Sequence, residues 1–229
     1  LLRRIRDVLV RKLLRFLADE QKSHLDSYKA FYLEYHMFLK EGLCSDYKYM
    51  ELISKLLLFE SNESGEGNLL SLDDYISNCP PEQKEIYYIV APNRQAALAS
   101  PYYEYFKKHN KHILFLYNAI DEFVMGNLKT YGGRNLVSAE TSTINFDADK
   151  KDEAEKADTK GKEDSSTPSA ADKLTDSQGQ ELCGFFSDLL GSKVRSVKVT
   201  HRLSDSPAIV TDHESGALRR MMRMVVSWL

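Results

Sequence analysis

The sequence predicts an α/β and α+β chain: a helical coil, then a small three-layer α-β-α unit with a short parallel sheet, then a partial α+β C-terminal domain. Three observations predict it. Residues 3–57 carry apolar side chains at helical spacing. Two short apolar runs, Ile86-Tyr87-Tyr88-Ile89-Val90 and Ile113-Leu114-Phe115-Leu116-Tyr117, are separated by about twenty residues. That separation is too long for a hairpin and suits a helical crossover between parallel strands. Finally, from Asp147 to Asp164, 13 of 18 residues are charged with alternating sign, which marks a boundary between domains.

The elements follow in order. Residues 3–17 place Ile5, Val8, Leu9, Leu13, Phe16 and Leu17 on one helical face, with Arg3, Arg4, Arg6, Arg11, Lys12 and Arg15 largely on the other. No aromatic platform interleaves these cations, so the basic face reads as a solvated bundle face, not a nucleic-acid surface. Leu25, Tyr28, Phe31, Tyr32, Tyr35, Phe38 and Leu39 continue the period to a stop near Gly42. A third helix turns Tyr49, Leu52, Ile53, Leu56 and Leu57 inward. SNESGEGN, residues 61–68, is a loop, and Ser71-Leu72-Asp73-Asp74 opens a short helix as a capping box that Cys79-Pro80-Pro81 ends.

Then comes β-α-β-α-β. Ser100-Pro101 is an N-cap followed by proline at the first helical position, so the crossover holds two helices. Ile120–Lys129 is a further helix, and Gly132-Gly133 turns into a third strand at Leu136-Val137. Apart from Pro168, the charged segment has no apolar residue larger than Ala from Asp147 to Lys173, so it cannot bury enough surface to offset its ordering entropy. A helix at about Ser177–Leu190 stops at Gly191; strands are expected from Val194 to Leu203 and at Ala208-Ile209-Val210, and a helix at 215–228. The domains are therefore 1–60, 61–146, 147–176 and 177–229.

Composition excludes several functions. The 229 residues carry a formal net charge of −3, which gives no global field for nucleic acid. No apolar run of eighteen residues offers a membrane span. Cys44, Cys79 and Cys183 are few, odd in number and without metal-ligand spacing, which suits a reducing compartment. The chain begins Leu-Leu-Arg-Arg inside an amphipathic pattern, as a piece of a longer protein would.

An enzyme would most readily place a nucleotide at the turn after Val90. That turn, Ala91-Pro92-Asn93-Arg94, has no glycine cradle, and neither phosphate-binding glycine motif occurs anywhere. Arg94 reads as a surface residue at a helix start. His109 and His112 lack a Cys or carboxylate at ligand spacing, and His201 sits in a strand with a structural role. Asp73-Asp74 and Asp121-Glu122 suit helix N-termini. In the last helix Leu218, Met221, Met222 and Val225 share a stripe. Such a stripe is either a core or dimer-facing seam or an adaptable partner surface.

Several motifs, taken together and in order, resemble the heat shock protein 90 family. They are Phe38-Leu39-Lys40-Glu41-Gly42, Lys55-Leu56-Leu57-Leu58-Phe59-Glu60-Ser61, Ser71-Leu72-Asp73-Asp74-Tyr75, Ile86-Tyr87-Tyr88, Ser100-Pro101-Tyr102-Tyr103-Glu104, Ile120-Asp121-Glu122-Phe123 and residues 200–210, THRLSDSPAIV. Ala91-Pro92-Asn93-Arg94 followed by SPYYE is most like the mitochondrial branch, and the HRLSDSPAIV run is also similar to the bacterial branch. The resemblance implies an ATP-dependent, dimeric chaperone of unfolded client proteins, mitochondrial or alternatively cytoplasmic. This chain would cover the later middle domain and the start of the C-terminal domain. ATP and Mg would bind in a missing N-terminal domain, with no cofactor, metal or catalytic residue in this chain. Client contacts are implied at Glu122 and Phe123, where bacterial members have Trp. They are also implied on the Met-bearing C-terminal helix at Leu218, Met221, Met224 and Val225. The ending Val225-Val226-Ser227-Trp228-Leu229 and the long charged linker depart from the family pattern. Two rivals are a stand-alone α/β nucleotide enzyme and a structural scaffold for partner helices.

Overall fold

The structure, a computed structural model, describes residues 1–144, 146, 175–200, 202–203 and 205–212. They form two compact units. One holds residues 1–144 with the described residues from Asp205 on; the other holds the described residues between 145 and 204.

The first unit opens with α1 (Leu2–Ser23) and α2 (Leu25–Ser45), joined at His24, whose extended φ of −138° breaks the helical path. Helix α2 carries the core through Tyr28, Tyr32 and Leu43. The two tyrosine hydroxyls donate to the Leu56 and Leu58 carbonyls at 2.6 and 2.9 Å. A buried ring can stay buried when its hydroxyl finds such a partner. The inward face of α1 differs from the expected one. Leu14 and Leu17 are buried and Val10 and Ala18 pack against them, while Ile5, Val8, Leu9, Leu13 and Phe16 are exposed. The helix is apolar around more than half its circumference, so periodicity leaves two candidate stripes and tertiary packing selects one. On α2, likewise, Leu25, Tyr35 and Phe38 are exposed. Gly42 is not the stop either: α2 runs on to Ser45, and Asp46 caps the next turn by accepting from the Lys48 N–H.

The expected third helix is shorter. A 3₁₀ turn, Tyr47–Tyr49, leads into α3 (Met50–Ser54) and then strand β1 (Leu58–Ser61), with Leu52 exposed. The run Leu56-Leu57-Leu58-Phe59 is fully buried. A short continuous apolar run is ambiguous between helix and strand by pattern alone. Strand β2 (Leu70–Ser71) pairs antiparallel with β1 and flows into α4 (Leu72–Asn78). The Ser71/Asp74 capping box is present, and Cys79 ends the helix.

Strand β3 (Ile86–Val90), α5 (Arg94–Leu98), α6 (Pro101–Lys108), β4 (Ile113–Leu116) and α7 (Ala119–Leu128) follow, so the crossover does hold two helices. Strand β5 (Thr130–Tyr131) then makes a hairpin with β6 (Arg134–Ser138). Strand order is β2-β1-β4-β3-β6-β5. The three expected strands are parallel, with β3 between β4 and β6, Tyr88 opposite Leu114 and Ile86 opposite Leu136. The sheet is nevertheless mixed, because β1 adds antiparallel to β4 and β5 antiparallel to β6. Both faces are covered, as two-residue alternation requires. Ile86, Tyr88, Val90, Leu114 and Leu116 face the core that α2 and α7 share. On the other face Tyr87 meets Phe106 of α6 edge-on at 5.0 Å, and Phe115 meets Tyr103 at 6.0 Å.

The β5–β6 turn uses Gly132 and Gly133 at φ of +55° and +77°, the positive pair that a type I′ hairpin needs. A Cβ at Gly132 would lie 2.9 Å from Ile76 Cδ1, whereas Gly133 faces open space. Gly132→Ala is therefore expected to destabilise the unit by about 1–2 kcal/mol, and Gly133→Asn by clearly less. Urea denaturation of the two variants checks the difference.

Residues 205–212 lie along the first unit as an extended strap, and Ala208-Ile209-Val210 is not a strand. With no ladder partner, side chains satisfy its backbone. The Glu104 carboxylate accepts from the Asp205 and Ser206 N–H groups at 3.2 and 3.4 Å and from the Ser206 hydroxyl. Tyr102 donates its hydroxyl to the Val210 carbonyl. The Asp212 N–H donates to the Glu140 carbonyl at 3.2 Å, and Asp212 Oδ1 accepts from the Ser142 N–H at 3.0 Å.

In the second unit, helix α8 (Asp176–Leu190) starts at a Thr175/Gln178 capping box and ends at Gly191, φ +50°, as expected. Val199 approaches Gly179 so closely that a Cβ there would lie 2.9 Å away. The described residues of the expected strand 194–203 form no strand. β-propensity without a pairing partner does not make one. The expected helix 215–228, the charged segment 147–174 and His201 lie outside the described residues.

Candidate functional site: the surface of helix α7

Helix α7 sits where the helical pair meets the sheet. Its first turn is fixed from both sides. The Asn118 N–H donates to Asp121 Oδ2 at 3.2 Å, and the Asp121 N–H donates to the Asn118 carbonyl at 3.0 Å. Asp121 Oδ1 lies 2.5 Å from Lys40 Nζ, an ion pair whose side chains are only 3% and 4% exposed. The ammonium also sits 5.6 Å from the Phe59 ring centroid and 5.9 Å from that of Tyr32. Asp121 is thus a helix-start acid, as its position suggested, and in addition the bolt between α7 and α2.

The same pair acts on His36. Burial is the main cause that holds its imidazole below the usual pKa of 6.5; the Lys40 charge adds to this and Asp121 opposes it. The sign is definite. A histidine with a depressed folded pKa stays neutral in the native state while the unfolded chain takes up a proton. Stability is expected to be constant above about pH 7 and to fall as pH drops below 6.5. In His36→Gln that fall should be shallower, which urea midpoints at pH 7.5 and 5.5 will show.

Further along α7, Val124, Met125 and Leu128 are buried. Glu122 is half-buried and Phe123 is 48% exposed. Glu122 and Glu140 both act on Tyr88: burial first, then these two carboxylates, push its hydroxyl up to about 12. Asn127, one turn after Phe123, donates its side-chain N–H to the Phe123 carbonyl at 2.8 Å and accepts from the Tyr47 hydroxyl at 3.2 Å. Burial is the main cause that raises the pKa of the Cys44 thiol, and Asn127 opposes it. Lys40 opposite Asp121, and Tyr47 just past α2 opposite Asn127, mean that α2 and α7 run in the same direction. Sequence reasoning found Glu122 and Phe123 but missed Lys40 and Tyr47. A lysine inside Phe38-Leu39-Lys40 was the available signal for the first.

Leu218, Met221, Met224 and Val225 lie outside the described residues, so their relation to α7 is not part of this site.

Arg94 corrects an expectation. It is not a surface residue: its side chain is 14% exposed and pairs with Glu60 at 3.2 Å. It donates to the carbonyls of Ser61, Asn62 and Gly65 at 2.9, 3.2 and 3.2 Å and lies 5.2 Å from the Phe115 ring centroid. Glu60 also accepts from the Tyr117 hydroxyl at 2.6 Å and the Gly67 N–H at 2.8 Å. This cluster moulds the 61–67 loop. Arg94 Nη1 and Nη2 serve Glu60 and the loop carbonyls, and the Asn93 side chain takes the Ala96 N–H at 2.8 Å. Among the described residues no group of three or more His, Cys, Asp or Glu could hold a metal ion, and no helix is long and apolar enough to cross a membrane.

The described residues of the first unit form a small mixed sheet wrapped by helices, with an exposed aromatic on a helix buttressed by a buried ion pair. The family model described as "Hsp90 protein" matches residues 1–228, and the chain belongs to this family. It is 37% identical to the mitochondrial TNF receptor-associated protein 1 homolog of Dictyostelium discoideum, over 98% of this chain and 30% of that protein. Identity is 36% to the mitochondrial heat shock protein 75 kDa of Rattus norvegicus, again over 98% and 30%. It is 34% to the chaperone protein HtpG of Desulfitobacterium hafniense, over 98% of this chain and 34% of the relative. The chain thus spans about a third of the length of these relatives.

Proposed function

We propose that this chain is the client-contacting and motion-transmitting part of an ATP-dependent chaperone that acts on unfolded or non-native proteins. The observation that carries the reading is the family match over residues 1–228 combined with Phe123, an exposed aromatic on a helix bolted to its neighbour by a buried ion pair. An aromatic held on a rigid base offers contact area at low entropic cost. Glu122 supplies a polar, acidic rim beside it. Leu218, Met221, Met224 and Val225 are proposed as a second client surface, on the strength of the resemblance alone. Residues 1–60 serve as the helical coil, 61–146 as the α-β-α unit, 147–176 as the linker and 177–229 as the start of the C-terminal domain.

ATP and Mg belong to the remainder of the full-length protein, and the full-length protein works as a homodimer. Two of the relatives described above are mitochondrial by name, which supports a mitochondrial location. The chain itself performs no ATP hydrolysis and needs no nucleic acid.

The test is direct. The purified 229-residue chain should slow aggregation of a heat-denatured reporter protein and show neither ATP turnover nor a nucleotide-induced rise in Tm. ATP turnover that co-purifies with the chain, or a rise in Tm with ATP, favours the nucleotide-enzyme rival. Unaltered reporter aggregation favours the scaffold.

A further inference from the structure

The strap of residues 205–212 lies on the first unit without the burial that usually holds a segment down. Val210 is 62% exposed, and Pro207 and Ala208 are exposed as well. These residues gain little from apolar contact. What the surface takes hold of is backbone. Glu104 accepts the consecutive N–H groups of Asp205 and Ser206 at 3.2 and 3.4 Å. Tyr102 donates to the Val210 carbonyl, and the Glu140 carbonyl accepts the Asp212 N–H at 3.2 Å. Side chains add to this at the two ends, where the Ser206 hydroxyl donates to Glu104 and Asp212 Oδ1 accepts the Ser142 N–H.

The groups that hold the strap are fixed in advance. Helix α6, which carries Tyr102 and Glu104, is pinned to the sheet through buried Tyr103, Tyr105 and Phe106. Glu140 and Ser142 follow directly on β6, whose pairing with β3 is prolonged by the Ala139 N–H donating to the Tyr88 carbonyl at 2.8 Å. A rigid row of donors and acceptors that matches an extended backbone does not depend on sequence, because every residue but proline carries the same N–H and C=O. A strap held by hydrogen bonds over little buried apolar surface is also among the first segments to open.

We propose that this row, from Glu104 and Tyr102 to Glu140 and Ser142, is a docking surface for an extended stretch of non-native polypeptide, and that the 205–212 strap occupies it in cis as a pseudo-ligand. The strap, seated there, is the example of the fit. A non-native chain is the partner that offers uncovered backbone groups along an extended segment. Because the strap is tethered, it competes at high effective concentration, and the surface is open to a partner only while the strap is lifted. The partner class rests on the chaperone reading above, whereas the surface itself involves no residue of α7.

Fluorescence anisotropy with two labelled, N-acetylated peptides tests it. One carries the strap sequence Asp-Ser-Pro-Ala-Ile-Val-Thr-Asp, and the other changes its middle to Asp-Ser-Pro-Thr-Val-Ala-Thr-Asp. Ser206→Pro combined with Asp212→Pro unfastens the strap by removing two N–H anchors and leaves the row itself unaltered. The unfastened chain should bind both peptides with affinities within about threefold of each other. It should bind them at least about tenfold more tightly than the wild type does, the gain expected when a site open roughly a tenth of the time is freed. Methylating the first two peptide nitrogens should weaken binding about three- to tenfold, the range of a lost hydrogen bond. Phe123→Ala should change none of these results, which separates them from the client reading at α7. Circular dichroism checks the fold. Asp212→Gly, which suits the φ of +51° and loses one anchor, replaces the double variant should that not fold, with an expected gain of about threefold. No binding by the unfastened chain, or equal binding by the wild type, overturns the docking surface. Binding of the strap peptide alone overturns the non-native partner, and full binding of the methylated peptide overturns recognition through the backbone.

Discussion

Lys40→Met should destabilise the first unit by about 3–5 kcal/mol, because it strands the Asp121 carboxylate in the interior. Both side chains are almost wholly removed from water. An unpaired buried carboxylate must either bear its desolvation or take up a proton. Asp121 also accepts the Asn118 N–H, so protonation would weaken the start of α7 as well. The pair itself is a different matter. Two charges taken out of water gain little net stability over a well-packed apolar pair. Lys40→Met combined with Asp121→Leu should therefore recover a large part of the loss, less the lost Asn118 contact. A double-mutant cycle by urea denaturation measures this. A coupling energy near zero would mean that the two residues do not act as a pair. What the ion pair supplies is position: it sets α7 against α2 in one register, and so fixes the spacing of Phe123 from Tyr47.

Arg94→Met should cost about 2–4 kcal/mol, and the effect should be concentrated in residues 61–67. The guanidinium satisfies three loop carbonyls and one carboxylate at once. Without it Glu60 keeps Tyr117 and Gly67 but loses its counter-charge. Amide exchange in the loop should accelerate well before exchange in β3 and β4 does. If Arg94 were instead a phosphate clamp, its substitution would leave stability nearly unchanged and abolish a nucleotide-dependent Tm shift. The two outcomes are separable in one set of melts.

The parts of the fold that sequence made legible are those where local chemistry agrees with the final structure. Ser71 and Asp74 cap α4 as their spacing indicates, Ser100-Pro101 opens α6, and the glycine pair turns β5 into β6. The parallel strands β3, β4 and β6 were readable because each is a short apolar run separated by helical stretches. The misses have one physical origin, namely competition that only tertiary contact decides. Leu56–Phe59 suits a helix or a strand, and the edge of β4 offered a ladder. Helix α1 has two apolar stripes, and α2 could cover one. Residues 194–200 and 208–210 have strand-like composition and found no partner. At the site, Glu122 and Phe123 came from family resemblance, not from pattern. Tyr47 and the inward turn of Arg94 were invisible and Lys40 was signalled only by its place in an apolar run, because each depends on residues between about 30 and 80 positions away meeting in space.

These particulars combine in one view of the molecule. A buried charge pair and a loop clamp hold the α-β-α unit rigid, and α7 presents Phe123 from that base. The most direct test is affinity for a permanently unfolded protein, reduced and carboxymethylated, measured for the wild-type chain and for Phe123→Ala with equal Tm values. The account predicts that the wild type binds and that the variant binds at least about threefold more weakly, as loss of one aromatic contact implies. Equal affinity of the two proteins, with their folds intact, would contradict it.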